Sequence, residues 1–252
     1  NVKCICDLDI SKAYNYARKY KLSYYNHYEE MLSKENSLDL VAIITPSGMH
    51  YEHSKKILKN FKVNIIVEKP TFLRTSQVAE IYKLAKKNKK KIYPVFQNRY
   101  NKAVKRLKKA IERKELGVPR IISVRVRWCR PQRYYELSDW RGTYSHDGGA
   151  LTNQGIHHID LIRYLFGEVK TLYSNMRTLG VDIEVEDTVI ANLNFVNKSL
   201  GTLEITTAAR PKDFEASISV VGSKGMAQIG GIAVNELQIF SPNPKECKIF
   251  SE

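Results

Sequence analysis

The chain has 252 residues, 43% of them hydrophobic, so it can bury one large core or two modest ones. It contains no apolar stretch near the roughly 20 residues that span a bilayer and no charged-then-apolar leader, so we expect a cytoplasmic protein without a membrane partner. The formal net charge of +15 is compatible with nucleic-acid binding, but no zinc finger, RNP-type strand or helix-turn-helix pattern is present, and we predict no nucleic-acid partner.

Residues 2 to 98 alternate between short apolar strands and single helices. The predicted strands are VKCICDLD (2–9), LVAIIT (40–45), NIIVE (64–68) and KIYPVF (91–96). The predicted helices are SKAYNYARKY (11–20) with Ser11 as N-cap, a helix from about His50 to Lys59, and SQVAEIYKLAKKN (76–88). This alternation predicts a parallel sheet covered on both faces.

Ligands bind beyond the carboxyl ends of the strands in such sheets. The residues at these ends are therefore candidates for a binding site: Asp7, Thr45 to Ser47, Glu68 to Pro70 and Gln97 to Arg99.

The pattern changes after about residue 119. A basic helix, KAVKRLKKAIERK (102–114), precedes a half-exposed strand, IISVRVRWCR (121–130), and a glycine-led helix, GGALTNQGIHHID (148–160). Further strands are predicted near residues 171–179, 185–195, 200–209, 216–221, 225–229 and 237–240. We predict a mostly antiparallel sheet with one long helix packed on it, and hence an α/β protein with domains at 1–98 and 99–252.

The four cysteines are scattered and form no C-x-x-C pair. They are Cys4, Cys6, Cys129 and Cys247. This spacing favours neither a disulfide framework nor a zinc site, so we predict no metal.

Two adjacent histidines lie in the glycine-led helix. At about 100° per residue, His158 falls about 200° from Ile156, within the apolar arc, and we expect it to be packed with one hydrogen bond. His157 falls about 100° from Ile156, on the side of Asn153 and Asp160. An imidazole titrates near neutral pH and a carboxylate can fix its tautomer, which suits a general base that takes a proton from a hydroxyl.

Lys69 directly follows a predicted buried strand and precedes Pro70 in VEKP (67–70). On the residues alone, an ordinary loop lysine in a lysine-rich chain is the first alternative. Its position at the carboxyl end of a parallel strand, however, is one where ligands bind. We therefore predict that Lys69 stabilises a developing alkoxide while His157 removes the proton of the same hydroxyl.

Five motifs follow one another along the chain: CDLD (6–9), TPSGMH (45–50), EKP (68–70), QNR (97–99) and GGALTNQGIHHID (148–160). In this order and spacing they resemble the markers of the Gfo/Idh/MocA family of oxidoreductases over essentially the whole chain. The resemblance implies a Rossmann-type domain and a second, α+β domain with a large, mostly antiparallel, open-faced sheet. It also implies an NAD(P)-dependent dehydrogenase acting on a CH–OH group, and a homo-oligomer, a dimer or tetramer formed through the open sheet.

The resemblance assigns roles residue by residue. Lys69 would be the catalytic lysine and His157 the acid or base, and both would contact the substrate. The residues that would line the cofactor are Asp7, Thr45, Pro46, His50, Glu68, Lys69 and Gln97. Asp7 would bind the hydroxyls of the adenosine ribose, and because an acid there repels a 2′-phosphate, we expect NAD rather than NADP.

The chain departs from the family pattern at three places. The G-x-G-x-x-G strand and turn would precede Asn1, and a further segment would follow Glu252. Without the first strand the parallel sheet would have a hole and no pyrophosphate cradle, so we infer a fragment or a sequence whose ends were not recorded. The family's helix aspartate is Asn153 here. An amide cannot act as a base, so we predict that Asn153 hydrogen-bonds the substrate, as in family members with an N-Q-x-I-H pattern that act on nucleotide sugars.

The segment RWCRPQRYYELSDWRG (127–142) is basic and aromatic. Its arginines would pair with phosphate or carboxylate (Arg130, Arg133 and Arg141), and its rings would stack on a sugar or base (Tyr134, Tyr135 and Trp140). An exposed strand edge and loop without a ligand is the alternative. We predict a UDP-linked N-acetylamino sugar or its uronate, oxidised at a ring hydroxyl. The predicted contacts are Lys69, Arg99, Tyr135, Trp140, Arg141, Asn153 and His157. A dehydrogenase of free sugars or cyclitols and a non-catalytic NAD- or sugar-binding relative are the alternatives.

Overall fold

The computed structural model describes residues 1–250. The chain divides into two compact units, the first made of residues 1–45 and 49–95 and the second of residues 46–48 and those from 96 onward. The boundary predicted after residue 98 lies close to this division, apart from the short excursion of residues 46–48. No helix among the described residues is both long enough and apolar enough to cross a lipid bilayer.

The first unit alternates strands and helices, as the apolar runs of its sequence predict. Its elements are β1 (Cys4–Cys6), α1 (Ile10–Tyr20), β2 (Ser23–Tyr25), α2 (Tyr28–Lys34), β3 (Leu40–Ile43), α3 (His50–Lys56, continued by a π-helical turn, Ile57–Phe61), β4 (Asn64–Val67), α4 (Thr75–Lys87) and β5 (Ile92–Pro94). Two of these elements, β2 and α2, were not predicted.

The strands of the first unit are all parallel but form two sheets, β1–β2 and β3–β4–β5. Within the described residues, β1 and β3 each pair with a strand on one side only. Both sheets border one apolar cluster, which includes Ile65 and Val67 of β4 and Ile81 of α4. Helix α1 begins one residue earlier than predicted, because the Asp9 side chain, not Ser11, accepts the first free N–H groups.

The second unit contains the larger sheet. Its elements are α5 (Lys102–Glu112), β6 (Pro119–Arg127), α6 (Gln132–Tyr135), α7 (Gly149–Asn153), α8 (Ile156–Phe166), β7 (Val169–Arg177), β8 (Thr188–Phe195), β9 (Leu200–Thr206), β10 (Glu215–Gly222), β11 (Met226–Gly230) and β12 (Glu236–Phe240). The six strands predicted after the histidines correspond to β7 through β12.

Seven strands form this sheet in the order β12-β11-β10-β6-β9-β8-β7, and every pair is antiparallel except β6–β9. Alternate residues of β6 (Ile122, Val124 and Val126) are buried on one face, where α5 and α8 contribute apolar side chains at helical spacing. On the other face, the alternate residues of β6 and β8 are exposed or half-buried. A mostly antiparallel, open-faced sheet is therefore confirmed.

Candidate functional site

Lys69 lies two residues after the end of β4, at the carboxyl end of the three-stranded parallel sheet. The Glu68 N–H donates to the Ile43 carbonyl oxygen (3.0 Å), which extends the β3–β4 pairing to the residue before Lys69. The Lys69 N–H in turn donates to Oε2 of Glu68 (2.9 Å). The sheet therefore fixes the backbone of Lys69 and places a carboxylate beside it.

His50 joins two loops at the same edge of the sheet. Its ring is buried, with Nε2 2.8 Å from the Thr45 carbonyl oxygen and Nδ1 2.8 Å from the Pro70 carbonyl oxygen. Carbonyl oxygens only accept, so the ring donates from one nitrogen when neutral and from both when doubly protonated. His50 thereby links the loop after β3 to the loop that carries Lys69.

Asp7 lies at the carboxyl end of β1 with an exposed side chain. Its Oδ1 accepts the Asp9 N–H (2.9 Å), and Asn26 Nδ2 donates to the Leu8 carbonyl oxygen (2.7 Å), so the turn after β1 is well held. An exposed carboxylate in this position can bind both hydroxyls of a ribose, which fits the adenosine end of NAD. The sequence holds no G-x-G-x-x-G loop, so the residues at the strand ends fit the adenosine ribose of NAD but offer no glycine-rich loop for its pyrophosphate.

The TPSGMH motif is divided between the two units. Thr45 and His50 belong to the first, whereas residues 46–48 belong to the second. The Gly48 N–H donates to the His146 carbonyl oxygen (3.0 Å), and a Cβ on Gly48 would lie 2.7 Å from the His146 Cα. Only glycine permits this approach. Gln97 begins a 3-10 turn in the second unit.

The predicted glycine-led helix is two helices, α7 and α8. Gly149 adopts a φ of +89°, and a Cβ there would lie 2.1 Å from Oε2 of Glu186. The helix is interrupted at Gln154 and Gly155, where a Cβ on Gly155 would lie 2.3 Å from Cδ1 of Ile205. Close packing against β9 therefore occurs where a continuous helix was expected.

Both adjacent histidines are enclosed by the protein, with 8% exposure for His157 and none for His158, and their rings contact different neighbours. The His157 ring meets the Phe96 ring edge-on at 6.3 Å between centroids, and His158 meets Trp128 in the same way at 5.9 Å.

His158 is packed as predicted, but the expected hydrogen bond is absent: neither ring nitrogen has a hydrogen-bond partner among the described residues. Burial, with a smaller contribution from the neighbouring His157, lowers the pKa of His158 to about 3. His158 is therefore neutral at physiological pH.

Asp160, which the sequence suggested as a partner of His157, gives both of its carboxylate oxygens to Arg99. Arg99 Nε donates to Oδ2 (2.7 Å) and Nη2 to Oδ1 (2.5 Å). This hydrogen-bonded carboxylate raises the pKa of Arg99. The guanidinium also stacks on the Tyr164 ring at 4.7 Å. Arg99, a predicted substrate contact, is thus firmly oriented by α8.

The segment 127–142 forms a cluster of arginines and aromatic rings. Arg141 lies over Tyr134 at 4.4 Å and over Trp140 at 4.8 Å, and its buried Nε has no hydrogen-bond partner within residues 1–250. Arg130 stacks on Tyr134 at 5.4 Å and forms an ion pair with Asp213 at 3.0 Å.

Tyr135 differs from its neighbours in this segment. It is only 6% exposed and its hydroxyl lies 3.1 Å from Oγ1 of Thr207. Burial raises the pKa of this phenol. A ring enclosed in this way offers no face for a sugar, so Tyr135 supports the segment rather than stacking on a ligand. Arg133 is exposed.

Two carboxylates near α7, the buried Asp147 and the half-buried Glu186, were missed by the sequence reasoning. Asp147 accepts hydrogen bonds from Gly142 N (2.7 Å) and from the Asn153 side chain, and Glu186 accepts the Leu151 N–H (2.9 Å). The acid before Gly148 was the only available signal. Within residues 1–250, no three His, Cys, Asp or Glu side chains converge as a metal site would require.

Comparison with known proteins accounts for both units. Residues 1–96 match the oxidoreductase family with an NAD-binding Rossmann fold, and residues 104–228 match the GFO/IDH/MocA C-terminal domain. The structure is similar, with a TM-score of 0.93 and 35% identity, to the WlbA dehydrogenase of Chromobacterium violaceum, over 99% of this chain and 73% of that one. The chain belongs to the Gfo/Idh/MocA family of oxidoreductases. The family resemblance of the five motifs is thereby confirmed.

The Gfo/Idh/MocA relatives do not all share one substrate. The C. violaceum enzyme was crystallised with NADH and UDP-GlcNAcA, and so was the WlbA dehydrogenase of Bordetella pertussis, which has a TM-score of 0.88 and 32% identity over 93% of this chain and 72% of that one. A myo-inositol 2-dehydrogenase of Thermotoga maritima is 27% identical over 77% of this chain. The chain spans 57% of that relative and 62% and 65% of two other curated oxidoreductases.

Proposed function

We propose that the protein is an NAD-dependent dehydrogenase that oxidises a ring hydroxyl of a UDP-linked N-acetylamino sugar or its uronate. The observation that carries the proposal is the 35% identity, over 99% of this chain, to a dehydrogenase crystallised with NADH and UDP-GlcNAcA. The exposed carboxylate of Asp7 at the end of β1 supports NAD over NADP, because it would repel a 2′-phosphate.

The proposed chemistry divides the work between two side chains. His157 takes the proton of the substrate hydroxyl as the C–H bond of the same carbon breaks. The Lys69 ammonium stabilises the negative charge that develops on the oxygen. NAD⁺, when bound, supplies the acceptor for the hydride. Asn153 is an amide and takes no proton, so it serves as a hydrogen-bonding group.

The arginine cluster of the second unit supports an anionic substrate. Arg141 lies over two rings that orient its guanidinium, which would pair with a phosphate or carboxylate oxygen. Arg133 is exposed and adds positive charge. Trp140 and Tyr134 add ring surface for a sugar or base.

Oxidation of a free cyclitol is the second candidate. It is favoured by the 27% identity to myo-inositol 2-dehydrogenase. A neutral cyclitol would make no use of the Arg141 guanidinium, so substitution of this arginine separates the two candidates.

The test is oxidation of UDP-N-acetylglucosaminuronate by the full chain with NAD⁺, followed by NADH absorbance, with myo-inositol, free sugars and NADP⁺ in parallel reactions. We expect NADH from the nucleotide sugar, and about a 10- to 100-fold lower kcat/KM in Arg141→Gln, since a charge-assisted hydrogen bond is lost. Activity on myo-inositol or free sugars alone, unchanged in Arg141→Gln, would overturn the nucleotide-sugar proposal.

We also propose a homo-oligomer that buries the open face of the large sheet. Charges near the centre of this face are paired within it: Arg127 contacts Glu204 (2.5 and 2.8 Å) and Glu215 (3.5 Å). Paired charges lower the cost of burying such a surface. Light scattering should report a dimer or tetramer, and Ser123→Lys, which adds an unpaired charge to the centre of the face, a monomer. A monomeric wild type would contradict this assignment.

A further inference from the structure

Asp147 is a buried carboxylate with two defined partners. It is 2% exposed and lies in a turn held by Thr143, whose carbonyl oxygen accepts the N–H groups of Asp147 (3.0 Å) and Gly148 (3.1 Å). Its Oδ2 accepts the Gly142 N–H (2.7 Å), and its Oδ1 accepts a hydrogen bond from Nδ2 of Asn153. The turn therefore delivers a carboxylate to the end of the helix that carries Asn153.

The orientation of the Asn153 amide follows from this partner. A side-chain amide has one donor end and one acceptor end, and which end faces a neighbour is decided by the hydrogen bonds available. A carboxylate only accepts, so Asp147 requires the NH₂ group of Asn153 on its side. The Asn153 carbonyl oxygen then occupies the other branch of the amide, where it can only accept a hydrogen bond.

We propose that Asp147 is a positioning residue, which fixes Asn153 with its carbonyl oxygen toward the substrate and so selects a hydrogen-bond donor, a hydroxyl or an amide N–H, at that point. The inference rests on the proposed dehydrogenase function and on the predicted contact between Asn153 and substrate. A substrate with a carbonyl or carboxylate at the same point would place a second hydrogen-bond acceptor against the Asn153 oxygen and would bind weakly.

Exchanging the residue types of positions 147 and 153 tests this orientation of the Asn153 amide. In Asp147→Asn, the new amide oxygen keeps the Gly142 N–H and its NH₂ group faces Asn153, so Asn153 must turn over and present a donor to the substrate. In Asn153→Asp, two carboxylates face each other at hydrogen-bonding distance. The double variant Asp147→Asn/Asn153→Asp restores every hydrogen bond and again presents an oxygen to the substrate.

We expect kcat/KM to fall by about 10- to 100-fold in each single variant and to return to within about fivefold of wild type in the double variant. The matched control is Asp187→Asn. Asp187 is a fully buried carboxylate that accepts the N–H groups of Leu179 (3.0 Å) and Gly180 (2.6 Å), so its substitution should lower stability without changing kcat/KM of the folded protein. A double variant no better than the single variants, or Asp147→Asn equal to Asp187→Asn in activity, would overturn the inference.

A second measurement is independent of catalysis. In ¹⁵N-labelled protein, one side-chain NH₂ proton of Asn153 should be shifted downfield by the carboxylate and should return toward the usual position in Asp147→Asn. If the proton is shifted but no sugar is oxidised, the proposed function fails and the amide orientation stands. If sugars are oxidised and the proton is not shifted, the positioning role of Asp147 fails alone.

Discussion

Replacing His158 by phenylalanine should stabilise the protein. The imidazole is fully buried with both ring nitrogens lacking hydrogen-bond partners, and a buried polar group without a partner costs about 1–3 kcal/mol. Phenylalanine has a similar shape and can keep the edge-on contact with Trp128. We expect the free energy of unfolding at neutral pH to rise by about 1–2 kcal/mol, measured by urea denaturation.

The same substitution should remove part of the pH dependence of stability. The pKa of His158 is lowered from 6.5 to about 3 in the folded state, so between these values the unfolded chain binds a proton that the folded chain does not. Stability is therefore lost as pH falls below 6.5, by about 1.4 kcal/mol per unit and about 2 kcal/mol between pH 7 and pH 5.

His158→Phe should lack this loss, whereas His146→Gln, which removes an exposed imidazole, should keep it. A His158→Phe variant that is less stable than wild type at neutral pH and retains the full acid sensitivity would refute the reasoning. Such a result would mean that the ring is hydrogen-bonded or charged in the folded protein.

The remaining predictions concern the turn before α7 and the ion pair on α8. Gly149 and Gly167 share a φ of +89°, but an added Cβ meets the Glu186 carboxylate at Gly149 and nothing within 4 Å at Gly167. Gly167→Ala should cost about 1–3 kcal/mol through its backbone alone, because a φ of 89° with a ψ of −159° is a conformation that only glycine adopts readily, and Gly149→Ala should cost more than about 3 kcal/mol in urea denaturation. Burial raises the pKa of Glu186 above its ordinary value of 4.5, so the folded protein loses stability as pH rises from 4.5 toward the raised pKa. Glutamine does not ionise, so Glu186→Gln should gain stability relative to wild type over that range. A constant difference between the two proteins would contradict this. Asp160→Asn should lose about 1–2 kcal/mol through its contacts with Arg99, with a smaller loss in high salt, and an unchanged unfolding midpoint would show that the pair contributes nothing.

The apolar strands and the amphipathic helix α5 were predictable because burial imposes a regular spacing on their sequences. Helix α2 and strand β2 were missed for physical reasons. The strand is only three residues long, too short for a periodic pattern, and α2 begins at Tyr28 after an N-cap residue, His27, whose side chain makes no cap hydrogen bond. Asp9 and Ser11 are both good N-cap residues, and only the position of the first turn decides between them.

The composition of the candidate site was easier to predict than its contacts. Lys69 at the end of β4 follows from the order of strands and helices, which the sequence displays. The Arg99–Asp160 pair joins residues 61 positions apart, and no local pattern reports such a contact. The interruption before His157 arises because Gly155 packs against β9, which a helical wheel cannot show.

The central claim is that Lys69 and His157 act on one hydroxyl of the substrate. The most direct measurement is the steady-state turnover of Lys69→Ala and His157→Ala on UDP-N-acetylglucosaminuronate with NAD⁺, beside NADH affinity measured by fluorescence titration. Lys86→Ala, which removes an exposed lysine of α4, is the control for loss of charge.

We expect both variants still to bind NADH and to lose turnover by about 100-fold or more, as removal of a proton-transfer or charge-stabilising group does. Near-wild-type turnover in either variant would contradict the account.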